Sequence, residues 1–318
     1  MFAMVADTRP LPASGPSGPV PVGRASVDVV RARTGARVVA ALVALLAAVG
    51  VGLTHRVFVA TAAGQRVDEL AFEGAAHGQG RLWVVAEPVL DVVSVAFVVV
   101  AIGVAMLVAV ARRRWVLAVQ VAALVVGANV TTQLLKHQLL ERPDLLPGWN
   151  GPNTLPSGHT TVAASVSVAL LLATPRAWRP AVTVVGVLYT AATGVSTLVG
   201  QWHRPSDVMA ALLVVLLWGA VVCAFTPAVA LDTPRTPGGS LATPGSSVLA
   251  GLLLLGAAVG GGIAATTMAG LVGAWSVPFA PDVTAYAVGV LAVASVTAAT
   301  FAVLLVLRQA TARPAPAK

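Results

Sequence analysis

WVLAVQVAALVVGANVTTQLLK, residues 115–136, decides the fold. Residues 115–135 carry no charge, and Lys136 ends the run. Wound as a helix at about 1.5 Å per residue, such a run is roughly 30 Å long, the thickness of a bilayer's hydrocarbon core. Arg112, Arg113 and Arg114 stand before it, so charge brackets the stretch at both ends. Comparable runs lie at 36–60, 89–111, 159–175, 181–200, 204–226, 247–273 and 284–307. The expectation is an all-α, polytopic membrane protein with eight spans.

Composition agrees. Of the 318 residues, 57% are hydrophobic and 10% charged, with a mean hydropathy of +0.87. That excludes a disordered chain and argues against a soluble enzyme. The single cysteine, Cys223, excludes an internal disulfide framework and a cysteine-built metal site. A net charge of +8 and a pI near 11.2 would suit nucleic-acid binding. The basic residues, however, sit at the ends of apolar runs and form no stripe, so membrane topology explains them and no nucleic-acid partner is expected.

Residues 1–32, rich in Pro, Gly and Ser, read as a disordered tail. A six-span core follows over 33–226, its first run a retained signal anchor rather than a cleaved signal peptide. Four prolines within 227–246 mark a linker, 247–307 holds two additional spans, and 308–318 is a second tail. With both termini in the cytoplasm, fourteen of the twenty Lys and Arg residues lie inside and nine of the twelve acids lie outside or at the outer edge. That bias sets the orientation. The same placement puts all five histidines (His55, His77, His137, His159 and His203) on the outer side.

Three outer segments concentrate polar groups: Lys136–Asp144 after the third span, Leu155–Thr160 before the fourth, and Ser196–Asp207 between the fifth and sixth. Lys136 and Arg142 supply positive charge for an oxyanion, most naturally a phosphate. Ser157 and Gly158 open a helix whose backbone N–H groups can point at the same anion. His203 and Asp207 are four apart, as neighbours on one helical face are. A carboxylate there holds the imidazole in one tautomer and leaves the other nitrogen free to attack. His159, from another helix, can protonate a leaving oxygen.

These segments resemble the three signature motifs of the type 2 phosphatidic acid phosphatase superfamily, over roughly residues 90–226. PSGH at 156–159 matches fully, and Ser196, His203 and Asp207 match in spacing. The resemblance implies a metal-independent phosphatase without other cofactors, acting on a phosphate monoester or pyrophosphate of a membrane lipid outside the cytoplasm. It implies His203 as the nucleophile forming a phosphohistidine, Asp207 as its activator and His159 as general acid. Lys136, Arg142, Ser157 and Gly158 would hold the phosphate. Two features depart from the pattern. Five residues, not six, separate Lys136 from Arg142, so the helix is expected to end before Arg142 and a loop to return its guanidinium. Thr197 stands where the family has arginine.

Arg204 is the candidate to replace that cation, if the sixth helix begins after it at Pro205; its alternative is snorkelling to headgroups. Thr197 also keeps open a second reading, a non-catalytic lipid-phosphate binder or transporter on the same fold. Other polar positions invite simpler readings. His55, His77 and His137, like Trp83, Trp115, Trp149, Trp178, Trp202 and Trp275, read as interfacial residues. Residues 65–76 read as a short amphipathic surface helix without chemistry. The Gly256…Gly260 spacing reads as close helix packing.

Overall fold

The computed structural model describes residues 23–92, 103, 115–147, 151–226, 232, 243–273 and 280–313, and among them there is no strand. Helix α1, Gly23–Thr54, runs on through a π turn, His55–Val59. After it come α2 (Ala62–Ala75) and α3 (Gln79–Val92). Helix α4, Trp115–Leu134, likewise ends in a π turn, Leu135–Leu139. The remaining helices are α5 (Gly158–Ala173), α6 (Arg179–Val199), α7 (Pro205–Ala224), α8 (Pro244–Val272) and α9 (Pro281–Thr311).

Six of these segments are long and apolar enough to cross a membrane: Thr34–Val59, Val116–Leu139, Arg176–Val199, Pro205–Ala224, Pro244–Val272 and Pro281–Thr311. The expected fourth span is the shorter α5, with 16 residues. Most of the expected second span, 89–111, lies outside the described residues, as do residues 1–22 of the tail and most of the linker.

Helix α7 is apolar on every side, and such a helix is stable only when surrounded. It packs against α1, α4, α5 and α9, with Val208, Leu212, Val215 and Ala220 fully buried. Helix α8 is the opposite case. It leans chiefly on α9 and turns Leu252, Leu255, Val259 and Ile263 outward, each more than half exposed. A stripe of that kind belongs against hydrocarbon rather than water.

Several boundaries differ from the sequence reading. The backbone is already helical from Gly23, ten residues before the expected core. Helix α3 begins at Gln79, ten residues before the expected second run, and tolerates Pro88 in its interior. Helix α8 starts inside the expected linker because Pro244 fits a first helical turn. Of Gly256 and Gly260, only Gly260 is a packing glycine: a Cβ there would come within 2.5 Å of Ser295 Oγ, whereas Gly256 faces open space.

The main correction concerns 65–76. Helix α2 is no surface helix. Gly64, Gln65, Val67, Asp68, Ala71, Gly74 and Ala75 are buried, against the first π turn, α7 and α9. A Cβ on Gly64 or Gly74 would strike the carbonyl of Val57 or of Asp282, so the two glycines let α2 seat backbone against backbone.

Candidate active site

The site forms where the ends of α4 and α6 meet the starts of α5 and α7. At the end of α6, Gln201 adopts a left-handed φ of 54°, and the chain folds back. The N–H groups of Trp202 and His203 donate to the Thr197 carbonyl at 3.0 and 3.3 Å. Gln201 Nε2 donates to the Phe72 carbonyl of α2 at 2.8 Å, which anchors the turn. His203 is thereby presented on a short non-helical link, and α7 begins at Pro205 as expected.

Asp207 is the third residue of α7 and fully buried. Its Oδ2 accepts the Arg204 N–H at 3.0 Å and lies 3.1 Å from His203 Nδ1. The carboxylate therefore caps the helix and orients the imidazole together. The i,i+4 pair does not lie on one helical face, because His203 precedes the helix; the extended backbone of Arg204 swings the ring back over Asp207. With the proton on Nδ1 facing the carboxylate, Nε2 keeps its lone pair.

Ser157 caps α5, its Oγ accepting from Thr160 N at 3.4 Å. Its own N–H donates to the Asp207 carbonyl at 2.9 Å. This corrects the expectation that the Ser157 N–H points at an anion: it fastens the second motif to the third. Gly158 begins the helix beside open space, with Gln133 Nε2 4.0 Å from where a Cβ would stand. His159 follows, its ring 6.4 Å from that of His203 and 5.3 Å from that of Trp202. Trp202 also meets Trp83 edge-on at 5.9 Å, so these two rings wall the histidines instead of merely marking an interface.

Helix α4 ends before Arg142, as the five-residue spacing required. Lys136 lies in the π turn, and Leu140 is extended. The loop that follows is fastened on several sides. His55 Nε2 contacts the Glu141 carbonyl at 2.9 Å, Gln65 Nε2 donates to the Pro143 carbonyl at 2.7 Å, and Asn153 Nδ2 donates to Leu140 at 3.1 Å. His55 is thus also a fastener of this loop. His77, too, has a partner, Asp282 at 3.4 Å. The half-buried Arg142 sits in the fields of Arg204, Asp68, Asp207 and Glu69. Burial, then Arg204, lowers its pKa from the ordinary guanidinium value, and the three carboxyl groups oppose this.

Arg204 goes elsewhere than its surrogate role requires. Its Nε and Nη2 donate to Glu69 Oε2 at 3.0 and 2.6 Å, and it lies over the Phe72 ring. At 1% exposure it does not snorkel either. Next to Glu69, the buried Asp68 accepts from the Ser206 hydroxyl and, at 3.4 Å, from the Ser206 N–H. Burial first, then the charge of Asp207, pushes the Asp68 pKa up to about 7. Sequence reading missed both acids, although a spacing of small residues at 64, 67, 71 and 75 was a visible signal of a buried face.

A multi-pass, all-helical membrane protein with two histidines and an orienting carboxylate gathered at one end of its bundle defines the class. Within it, residues 117–230 match the family model of the PAP2 superfamily. This is the type 2 phosphatidic acid phosphatase superfamily that the three motifs resemble, and the apolar helices fit its integral-membrane branch. The matched segment runs from α4 past α7 and contains all three motifs. At the coarse level it supports phosphatase chemistry on phosphate esters. Neither a curated protein nor a solved structure matches the chain.

Proposed function

We propose that this protein hydrolyses a phosphate monoester or pyrophosphate carried by a membrane lipid, through a phosphohistidine on His203, at the extracytoplasmic face. The observation that carries the reading is the 3.1 Å contact between His203 Nδ1 and Asp207 Oδ2, with the His159 ring 6.4 Å from that of His203. Nε2 of His203 attacks phosphorus, and the P–O bond to the leaving group breaks as His159 gives that oxygen a proton. Neutral His159 then takes a proton from water; the water oxygen bonds to phosphorus, and the N–P bond breaks. Lys136 and Arg142 offset the charge on the phosphoryl oxygens, and Gly158, with open space beside it, lets a phosphate approach the backbone. The apolar surroundings favour a lipid over a sugar phosphate.

The orientation rests on the distribution of basic residues. A reporter active only outside the cytoplasm should work when fused near residue 150 and fail at 115, 235 or 318. The function itself is tested by phosphate release from lipid phosphates with purified protein in detergent. Full activity in His203→Ala sinks the mechanism.

One observation favours a second reading. Thr197 replaces the family's arginine and turns its hydroxyl to the Gly194 carbonyl at 2.7 Å, while Arg204 is engaged by Glu69. A non-catalytic lipid-phosphate binder or transporter would tolerate both. That reading gains if the wild type binds lipid phosphates without turning any over and Thr197→Arg confers turnover.

A further inference from the structure

A second polar pocket lies at the other end of the bundle, separated from His203 by the length of α6, roughly 30 Å. Its volume is about 390 Å³. Arg176 lines it from the turn leading into α6, Thr243 and Ser246 from the start of α8, and Gln309 and Arg313 from the end of α9. Three separate elements thus converge on it, none of which takes part in the phosphatase chemistry.

The polar atoms here are ordered by a relay. Arg176 Nη2 donates to Thr243 Oγ1 at 3.5 Å, and Thr243 Oγ1 donates to Gln309 Oε1 at 2.9 Å. With its carbonyl held by Thr243, Gln309 has its amide nitrogen turned the other way. That nitrogen is buried and has no hydrogen-bond partner among the described residues. The same holds for Arg176 Nε and for the hydroxyl of Ser246, a residue only 2% exposed. Arg176 Nη1 has no hydrogen bond among the described residues either and lies 3.7 Å from Asp232. Asp232 is itself taken by two hydrogen bonds from Arg179, at 2.8 and 2.7 Å.

Three residues that line the pocket, Arg176, Gln309 and Ser246, therefore carry two guanidinium nitrogens, an amide nitrogen and a hydroxyl whose hydrogen-bonding capacity is unmet among the described residues. Buried donors in that condition are costly, and what answers them is a group made of acceptors. The charge agrees: among the described residues, Arg176 has Arg179 and Arg313 beside it and Asp232 as the opposing charge. The start of the 29-residue α8 adds its partial positive charge. Leu305 and Val306 complete the wall with apolar surface.

We infer that this pocket binds a phosphate group, either as free phosphate or as the headgroup of an anionic phospholipid in the leaflet opposite the histidines. Arg176, Gln309 and Ser246 donate to its oxygens, and Arg313 contributes charge at the rim. This site does not depend on the phosphatase reading.

Equilibrium dialysis of the full chain in detergent, in a His203→Ala background that prevents turnover, tests it. The probes are radiolabelled inorganic phosphate and dioctanoyl phosphatidic acid. Gln309→Ala and Arg176→Gln should each weaken one class of binding about tenfold, and Lys136→Ala should leave that class intact. Loss with both probes assigns a site that reads the phosphate group whatever carries it. Loss with the lipid only assigns a headgroup site. If neither probe's binding changes in variants that elute as the parent does, the inference is overturned. Should Arg176→Gln fail to fold, Gln309→Ala, which removes only an amide, decides.

Discussion

Arg204 Nε and Nη2 both donate to one oxygen of Glu69, Oε2, at 3.0 and 2.6 Å. The residue next to the proposed nucleophile is thereby neutralised by an acid 135 positions earlier in the chain. The pair ties α2 to the first turn of α7, where Asp207 orients His203. It acts on the site through position rather than by charge on the phosphate.

Glu69→Gln should therefore destabilise the protein by about 2 kcal/mol, less than the cost of breaking a fully buried ion pair, because Arg204 is buried but Glu69 is partly exposed. Replacing both, as Glu69→Leu with Arg204→Met, should recover most of that loss, because the desolvation penalty of both ions disappears with them. Thermal unfolding in detergent reads both values. Phosphate release by the double variant should stay within about tenfold of wild type. A loss of several hundredfold at unchanged melting temperature would return Arg204 to the role of phosphate ligand.

Ser157 separates the cap from the anion cradle. Its side chain caps α5 while its N–H goes to the Asp207 carbonyl at 2.9 Å. Ser157→Ala removes only the cap, so stability should fall by about 1 kcal/mol. The N–H remains, and so does the link between the second and third motifs. The KM for a lipid phosphate should then change less than threefold. A tenfold rise in KM would mean that the hydroxyl itself touches the phosphate.

Much of this was legible in the chain. Apolar runs bracketed by charge located the long spans, and Pro205 located the start of α7. The five-residue gap after Lys136 announced that the helix stops short of Arg142. What stayed hidden was the role of α2. Asp68 and Glu69 look like solvated charges on a weakly amphipathic segment, since sequence periodicity reports which face is apolar and not which polar residue has a distant partner. Arg204–Glu69 and Asp68–Ser206 are contacts between segments about 135 residues apart, and only the packing of α2 creates them. The same limit concealed the Ser157 N–H, whose direction depends on where α7 stands.

Asp68 gives the stability a pH dependence of definite sign. Its pKa is raised to about 7 in the folded protein, against about 3.9 in an unfolded chain. Between these values the folded state holds a proton that the unfolded state has released. Stability contributed by protonated Asp68 is therefore fully present below about pH 4 and lost as pH rises through about 7. Each unit of difference corresponds to about 1.4 kcal/mol, so the swing is of the order of a few kcal/mol. Asp68→Asn, which cannot ionise, should flatten the fall in melting temperature between pH 4 and 7. Parallel profiles for variant and wild type would show that Asp68 does not titrate in that window.

Asp207 offers the sharpest test of the site because its charge can be removed while its contacts are kept. Its Oδ2 both caps Arg204 N and faces His203 Nδ1. In Asp207→Asn the amide oxygen can still accept the Arg204 N–H, so the start of α7 should persist and the melting temperature should change little. The same oxygen still accepts from Nδ1, but a neutral amide no longer stabilises the positive charge that builds on the imidazole as Nε2 attacks. Turnover should fall by roughly 10²–10⁴-fold, with a much smaller change in KM. His159→Ala should behave differently. A general acid matters most when the leaving oxygen is basic, so its deficit should shrink on p-nitrophenyl phosphate, whose leaving group departs without a proton. A quench that phosphohistidine survives, such as rapid alkaline denaturation, since its N–P bond is labile to acid, should then trap labelled phosphate on the His159→Ala chain and none on His203→Ala. Label retained on His203→Ala would place the covalent intermediate on another residue.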